Sequence, residues 1–300
     1  MKLKKFEGTG VAIVTPFRKD DSIDFKALEK LIRHLLDGKV EYLVVLGTTG
    51  ESVTLNRDEK NAVVECVKEV VDRKIPIVVG IGGNNTQEVV DMIKHTRLKG
   101  IDAVLSVAPY YNKPGQKGLY LHFKAIAEEC PVPLIIYNVP GRTSSNLSAE
   151  TTVKLAGDFK NIIAIKEASG NIGQVMEIIR NKPAGFMVIS GDDALTFPLT
   201  ALGGSGVISV VANAFPYAFS TMVRHVLAGK IEESRKIHYE LLYFTGLMFA
   251  EGSPAGIKAA LSTMNIVSNF LRLPLTPVSR DLMSRIAEET ERLVKSTLSF

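Results

Sequence analysis

Eight short apolar runs recur along the first three-quarters of the chain, most of them followed by a stretch of helical periodicity. That alternation leaves few folds open, because a strand that is apolar on both faces has to be covered by helices. The strands are expected at Gly10–Pro16, Tyr42–Gly47, Ile75–Gly80, Ala103–Val107, Leu134–Tyr137, Ile162–Lys166, Met187–Ser190 and Gly206–Ser209. Helices are expected over Asp24–Leu36, from near Asn56 with Asp58 and Glu59 in its first turn, over Thr86–Leu98 and over Leu119–Glu129. Eight such units within about 230 residues predict an α/β fold, a closed (β/α)₈ barrel rather than an open sheet. Beyond Gly229 the strand pattern stops. Ile231–Phe249, Ala255–Met264 and Ser279–Leu298 read as helices, with Pro274 and Pro277 marking a joint before the last. The expected division is a barrel over 1–229 and a C-terminal helical region over 230–300.

A barrel carries its chemistry at the C-terminal ends of its strands. Lys166 stands at such an end, in Ile162-Ile163-Ala164-Ile165-Lys166-Glu167-Ala168-Ser169-Gly170. Side chains alternate along a strand, so Ala164, Lys166 and Ala168 share one face while Ile163, Ile165 and Glu167 share the other. A lysine among small apolar neighbours loses hydration in its charged form, and its pKa falls. Lowering it from 10.4 to roughly 7 costs ~5 kcal/mol, a burden that function justifies. The plainer reading is a strand-end lysine snorkelling to water.

Composition narrows the partners. The 36 basic and 32 acidic residues are spread along the chain, and a net charge of +4 does not form the basic stripe that nucleic acid or an anionic membrane requires. No apolar run approaches the ~20 residues of a membrane-spanning helix. Met1–Phe6 is basic and runs straight into the first strand without a secretory h-region, and Cys66 and Cys130 suggest no disulfide framework. These features make the cytoplasm the expected compartment.

Several loops at strand ends hold residue types suited to a small anionic substrate. Gly47-Thr48-Thr49-Gly50-Glu51-Ser52 brackets two hydroxyls with glycines, so backbone N–H groups can approach a carboxylate; a plain capped turn is the competing reading. In Ala108-Pro109-Tyr110-Tyr111-Asn112-Lys113-Pro114 the adjacent tyrosines cannot both face one cavity, so one is free to pack or to meet a partner. Tyr137, ending the fifth strand, lies beside the strand of Lys166, where a phenol can exchange protons with a carbonyl oxygen. Arg142, on the Pro140-Gly141 turn, offers either a bidentate fork for a carboxylate or a surface ion pair.

Other motifs point to less. Asp192 and Asp193 lack a third ligand at metal spacing, and helix capping suits them better. Gly203-Gly204-Ser205-Gly206 precedes its strand, unlike the phosphate loops of barrels. Gly80-Ile81-Gly82-Gly83 lacks the third glycine of a dinucleotide fingerprint. The histidines (His34, His95, His122, His225, His238) form no metal pattern.

Taken together, GTTGES after strand two, APYYNKP after four, YNVPGRT after five, IKEASG on six, SGDD after seven and GVISV on eight resemble the dihydrodipicolinate synthase family in order and spacing. The resemblance covers essentially the whole chain. It implies a class I aldolase-type lyase in which Lys166 forms an imine with pyruvate, without metal or organic cofactor. Tyr137 would be the general acid/base, and Thr48 would pass protons between it and a Tyr111 lent by a neighbouring subunit. Thr49, with Thr48, would hold the pyruvate carboxylate; Gly191 and Ile208 would line its pocket. Arg142 would bind the carboxylate of L-aspartate 4-semialdehyde, the condensation opening the diaminopimelate and lysine branch. A homotetramer, as a dimer of dimers, is implied as well.

The lysine, the tyrosine and the GTTGE loop are shared with N-acetylneuraminate lyases and 2-keto-3-deoxy sugar-acid aldolases, so an aldolase of that superfamily is the alternative. Gly141-Arg142-Thr143 favours the aldehyde that bears a carboxylate. A non-catalytic keto-acid-binding barrel is the rival from another class. Two departures stand out. Ser144 occupies a position where many members carry glycine. At the effector site, matched by Ser52, Asn84, Glu88 and Tyr110, Arg57 and Lys60 stand where lysine-inhibited members carry histidines. Two cations there would repel cationic lysine, so weak or absent feedback is expected.

Overall fold

The computed structural model describes residues 3–297, so Met1 and Lys2 of the basic start and the expected helix end at Leu298 lie outside the described residues. Eight parallel strands close on themselves in sequence order: β1 (Gly8–Ala12), β2 (Tyr42–Val45), β3 (Ile77–Gly80), β4 (Ala103–Val107), β5 (Leu134–Asn138), β6 (Ile162–Glu167), β7 (Met187–Ser190) and β8 (Gly206–Ser209). This is the α/β, (β/α)₈ barrel that the alternation demands.

Five strands differ from their expected bounds: β2 ends two residues early, β5 and β6 each run one residue further, and β1 and β3 shift for local reasons. β1 starts two residues early and ends at Ala12. Past Ile13, whose N–H still donates to Val44 O at 3.1 Å, the backbone leaves the ladder: Val14 N–H donates to Asn213 Oδ1 at 3.3 Å, and the Thr15 hydroxyl donates to the Gly50 carbonyl at 2.7 Å. β3 starts at Ile77 rather than Ile75, since Pro76 has no N–H to give, although its carbonyl accepts from Leu43. Helices are capped much as their sequences suggest. Asp24 accepts from Ala27 N–H at the start of helix Phe25–Asp37, and Asn56 with Glu59 forms a capping box on helix Arg57–Val71. The third expected helix stops at His95, three residues short, and the fourth starts earlier, at Gln116.

The core has two layers. Inside the barrel Phe6 and Tyr42 plug the N-terminal end, their rings edge to face at 5.5 Å, and Val44, Ile135, Ile189 and Ile208 fill the middle. Outside it, the apolar faces of the surrounding helices pack on the alternate strand residues. Helices Ile231–Phe249, Ala255–Thr263 and Arg280–Thr297 follow the barrel, and Ser253, Pro274 and Leu275 from this region reach the cavity at the C-terminal ends of the strands. Cys66 and Cys130 are free thiols, and no helix among the described residues is long and apolar enough to cross a membrane.

The glycines before β8 have a packing role. Gly206 has φ +129°, and a Cβ there would lie 1.9 Å from the Gly8 carbonyl oxygen, where β1 and β8 seal the ring. Gly206→Ala is therefore expected to cost about 3 kcal/mol or more, from backbone strain and overpacking together. Urea unfolding measures it; a loss below about 1 kcal/mol would mean that the seam accommodates a side chain.

Candidate active site

Lys166 and Tyr137 are register partners across β5 and β6, and the ammonium nitrogen lies 4.3 Å from the centre of the tyrosine ring. Only 6% of Lys166 is exposed. Burial drives its pKa down to about 8; the nearby Arg142 charge pushes the same way, while the Asp193 charge pulls upward. A sizeable fraction of neutral amine is thus present at mildly alkaline pH. Gly191 makes room for the lysine stem, since a Cβ there would stand 2.9 Å from Lys166 Cε.

Tyr137 is buried too, and burial raises its phenol to about 12, against the opposing pull of Arg142 and of a hydrogen bond with the Thr48 side chain. It therefore stays protonated and can donate. Thr48 opens the single-turn 3₁₀ segment Thr48–Gly50, closed by Gly50 N–H donating to Gly47 O at 3.0 Å. The first N–H groups of such a turn have no acceptor within it, which leaves them for an anion. Thr49 in this turn is buried.

Lys166, Tyr137, Thr48 and Arg142 line one cavity of about 1050 Å³. Arg142 takes no ion pair among the described residues, so the surface-pair reading of it finds no partner, and its charge acts on both Lys166 and Tyr137. Ser144 ends the short helix Pro140–Thr143 in the left-handed conformation at φ 57°, the geometry glycine reaches most easily. The serine adopts it while Thr143 Oγ1 and Ser145 exchange two hydrogen bonds, so the arginine turn keeps its shape.

Not every expected residue meets the others. Tyr111 is 87% exposed and does not line the cavity, whereas Tyr110 does. Ile208 belongs to the inner core with Tyr137. Ser52, Arg57, Lys60 and Glu88 share the cavity with the lysine, along with Asp91 and His95; Asn84 stands aside and donates to the Tyr110 carbonyl at 3.3 Å.

Two supporting groups escape a reading by motif. Asp192 accepts from Ala194 and Leu195 N–H in the turn ahead of helix Thr196–Ala201, whose N-cap is Leu195 without a side-chain bond, so the helix capping expected of the pair is not what either aspartate does. Asp193 instead reaches across to β8, accepting from the Ser209 hydroxyl, from Val210 N–H at 3.1 Å and from Val211 N–H at 3.3 Å. Strands β7 and β8 share one ladder pair, Ser190 with Val207, so this carboxylate closes the gap between them. Burial raises its pKa to about 6, with those hydrogen bonds opposing. On the outer face, Glu167 accepts from Asn138 Nδ2 and Gln174 Nε2, both at 3.0 Å, and from Ser169 N–H at 2.6 Å. Asn138 and Glu167 each follow a cavity residue in their strands, and their bond fastens the two ends together. The alternation of side chains already turns Glu167 away from Lys166; only the fold supplies its partners.

Residues 5–293 match the model of the dihydrodipicolinate synthetase family. A 4-hydroxy-tetrahydrodipicolinate synthase of Flavobacterium psychrophilum is 50% identical over 293 residues, covering 98% of this chain and all of that one. The chain belongs to the dihydrodipicolinate synthetase family. Solved structures agree. A dihydrodipicolinate synthase variant characterised as monomeric is 41% identical with a TM-score of 0.93, covering 96% of this chain and 98% of its own. The dihydrodipicolinate synthase of Cyanidioschyzon merolae with lysine bound is 38% identical with a TM-score of 0.92, covering 96% and 98%. Membership in the dihydrodipicolinate synthetase family makes this chain an enzyme of the lyase/synthase class.

Proposed function

We propose that the chain condenses pyruvate with L-aspartate 4-semialdehyde to give 4-hydroxy-tetrahydrodipicolinate, with Lys166 as the amine that captures pyruvate. The observation that carries this reading is a buried lysine, lowered to about 8, lying over the ring of a protonated tyrosine. The neutral amine adds to the keto carbon of pyruvate, and Tyr137 donates a proton to the departing oxygen, which leaves as water. The iminium then accepts the electron pair of a methyl C–H bond, its proton going to a base, and the resulting enamine attacks the aldehyde carbon. Attack of the product's own amine on the imine carbon closes the ring and releases Lys166.

Thr48 relays protons to Tyr137, the turn at Thr48 and Thr49 holds the pyruvate carboxylate, and Gly191 and Ile208 shape the pocket floor. Arg142, which has no ion pair among the described residues, takes the carboxylate of the aldehyde, which favours this substrate over sugar acids. The enzyme works in the cytoplasm as a homotetramer, a dimer of dimers, in which Tyr111 extends to a neighbouring subunit; its exposure and its φ of 77° in a loop beside the cavity support that role.

Borohydride added with pyruvate is expected to leave a reduced adduct on the peptide of Lys166, and Arg142→Ala is expected to raise KM for the aldehyde about 10- to 100-fold while leaving that trapping intact. An adduct on another residue, or none, would overturn the reading. Arg57 and Lys60 in the effector region make lysine a poor inhibitor, so an inhibition curve flat to millimolar lysine is expected; a low-micromolar midpoint would contradict this.

A further inference from the structure

One buried ion pair lies outside the chemistry above. Glu51, just past the Thr48–Gly50 turn, and Lys258, on helix Ala255–Thr263, have side chains 0% exposed, with Nζ 2.5 Å from Oε1. Every other contact points to a clamp. Glu51 Oε2 accepts from Arg272 N–H at 3.2 Å, and Lys258 also donates to the Phe270 carbonyl at 2.8 Å. The Arg272 side chain forks onto both Glu59 oxygens and donates to the carbonyls of Thr54 and Asp21. Lys258 and Arg272 both sit over the ring of Phe17, at 4.3 and 4.6 Å. The segment after the barrel is thereby buckled onto the loops that follow β1 and β2.

The backbone shows what the buckle holds. Leu46 at φ 59° and Glu51 at φ 52° bracket the turn, both in the left-handed region that branched and long side chains avoid. Such residues persist only where their surroundings over-determine them. Glu51 N–H also closes the turn by donating to Thr48 O at 3.1 Å, and the Thr15 hydroxyl holds Gly50 O from the other side. A buried ion pair adds little net stability compared with apolar replacements, and its best-supported use is to fix one arrangement among several.

We infer that Lys258, acting through Glu51, is a positioning residue that sets the Thr48–Thr49 turn for the carboxylate of pyruvate. Burial lowers the Lys258 amine to about 8, with Glu51 pulling it back up, so the pair depends on its partner to stay charged. Neither residue touches the reacting atoms. The inference rests on the pyruvate reading of the site, and the effect should fall on pyruvate and not on the aldehyde, whose carboxylate meets Arg142.

The test compares the parental enzyme with Lys258→Met, Glu51→Gln and the double variant, which leaves no unpaired buried charge. Half-saturation by pyruvate is measured twice, as KM in turnover and as borohydride trapping on Lys166, beside KM for the aldehyde and thermal unfolding. Both pyruvate measures are expected to rise about tenfold or more in every folded variant, with the aldehyde KM within about twofold of the parental value. The double variant is decisive if either single variant fails to fold. Pyruvate half-saturation within about twofold of parental, with only the unfolding temperature lowered, would overturn the inference. Absence of any adduct in the parental enzyme would instead defeat the underlying reading of the site.

Discussion

The site depends on removing water from one amine. A lysine on the inner face of a closed strand ring, only 6% exposed where it lines the cavity, keeps little of its hydration, and its pKa falls as a direct consequence. Closure is what enforces this. With strands joined all the way round, including the tight seam of Gly8 and Gly206, the lysine is flanked by the Tyr137 ring on β5, by Ile189 on β7 and by Gly191, and opens only to the cavity. The charges nearby trim the result, since Asp193 raises the affinity for the proton and Arg142 lowers it.

Around that centre the protein spends its buried polar groups on holding strand ends and loops. Asp193 joins the ends of β7 and β8, Asn138 and Glu167 join β5 and β6, and Glu51 with Lys258 ties the β2 loop to the C-terminal helices. Asn138 and Glu167 each follow a cavity residue in the chain, and Glu51 lines the cavity itself. An apolar core fixes the ring of strands but tolerates small shifts, whereas a satisfied buried carboxylate admits one arrangement. The arrangement suits a reaction in which amine, phenol and anion turn must hold fixed distances.

Much of this is legible in the chain because the determinants are local. Period-two and period-3.6 patterns give the strands and helices, and the barrel rule puts Lys166, Tyr137, Thr48 and Arg142 at one end. The motif order then indicates the family. What escapes is long-range. Lys258 reads as a stray cation in the apolar run Ile257-Lys258-Ala259-Ala260-Leu261, and its partner is 207 positions away. The lone charge was a signal, yet without the fold it names no partner. Asp193 reads as one of a capping pair with Asp192, and the β1 boundary turns on hydrogen bonds donated by Val14 and Thr15 to Asn213 and Gly50 that no propensity encodes. The glycine cluster at the start of β8 is set apart from a phosphate loop by its position in the chain, but the approach of Gly206 to Gly8 of β1 is seen only in the fold.

The most direct test is the ionisation of the Lys166 amine itself, followed by NMR of a lysine-labelled enzyme with Lys166→Arg identifying the resonance. A midpoint near 8 is expected, with the neutral form gaining as pH rises through it. A midpoint at or above about 10.4, the value of a solvated lysine, would contradict the account, because the amine would then be held charged across the range in which it has to attack.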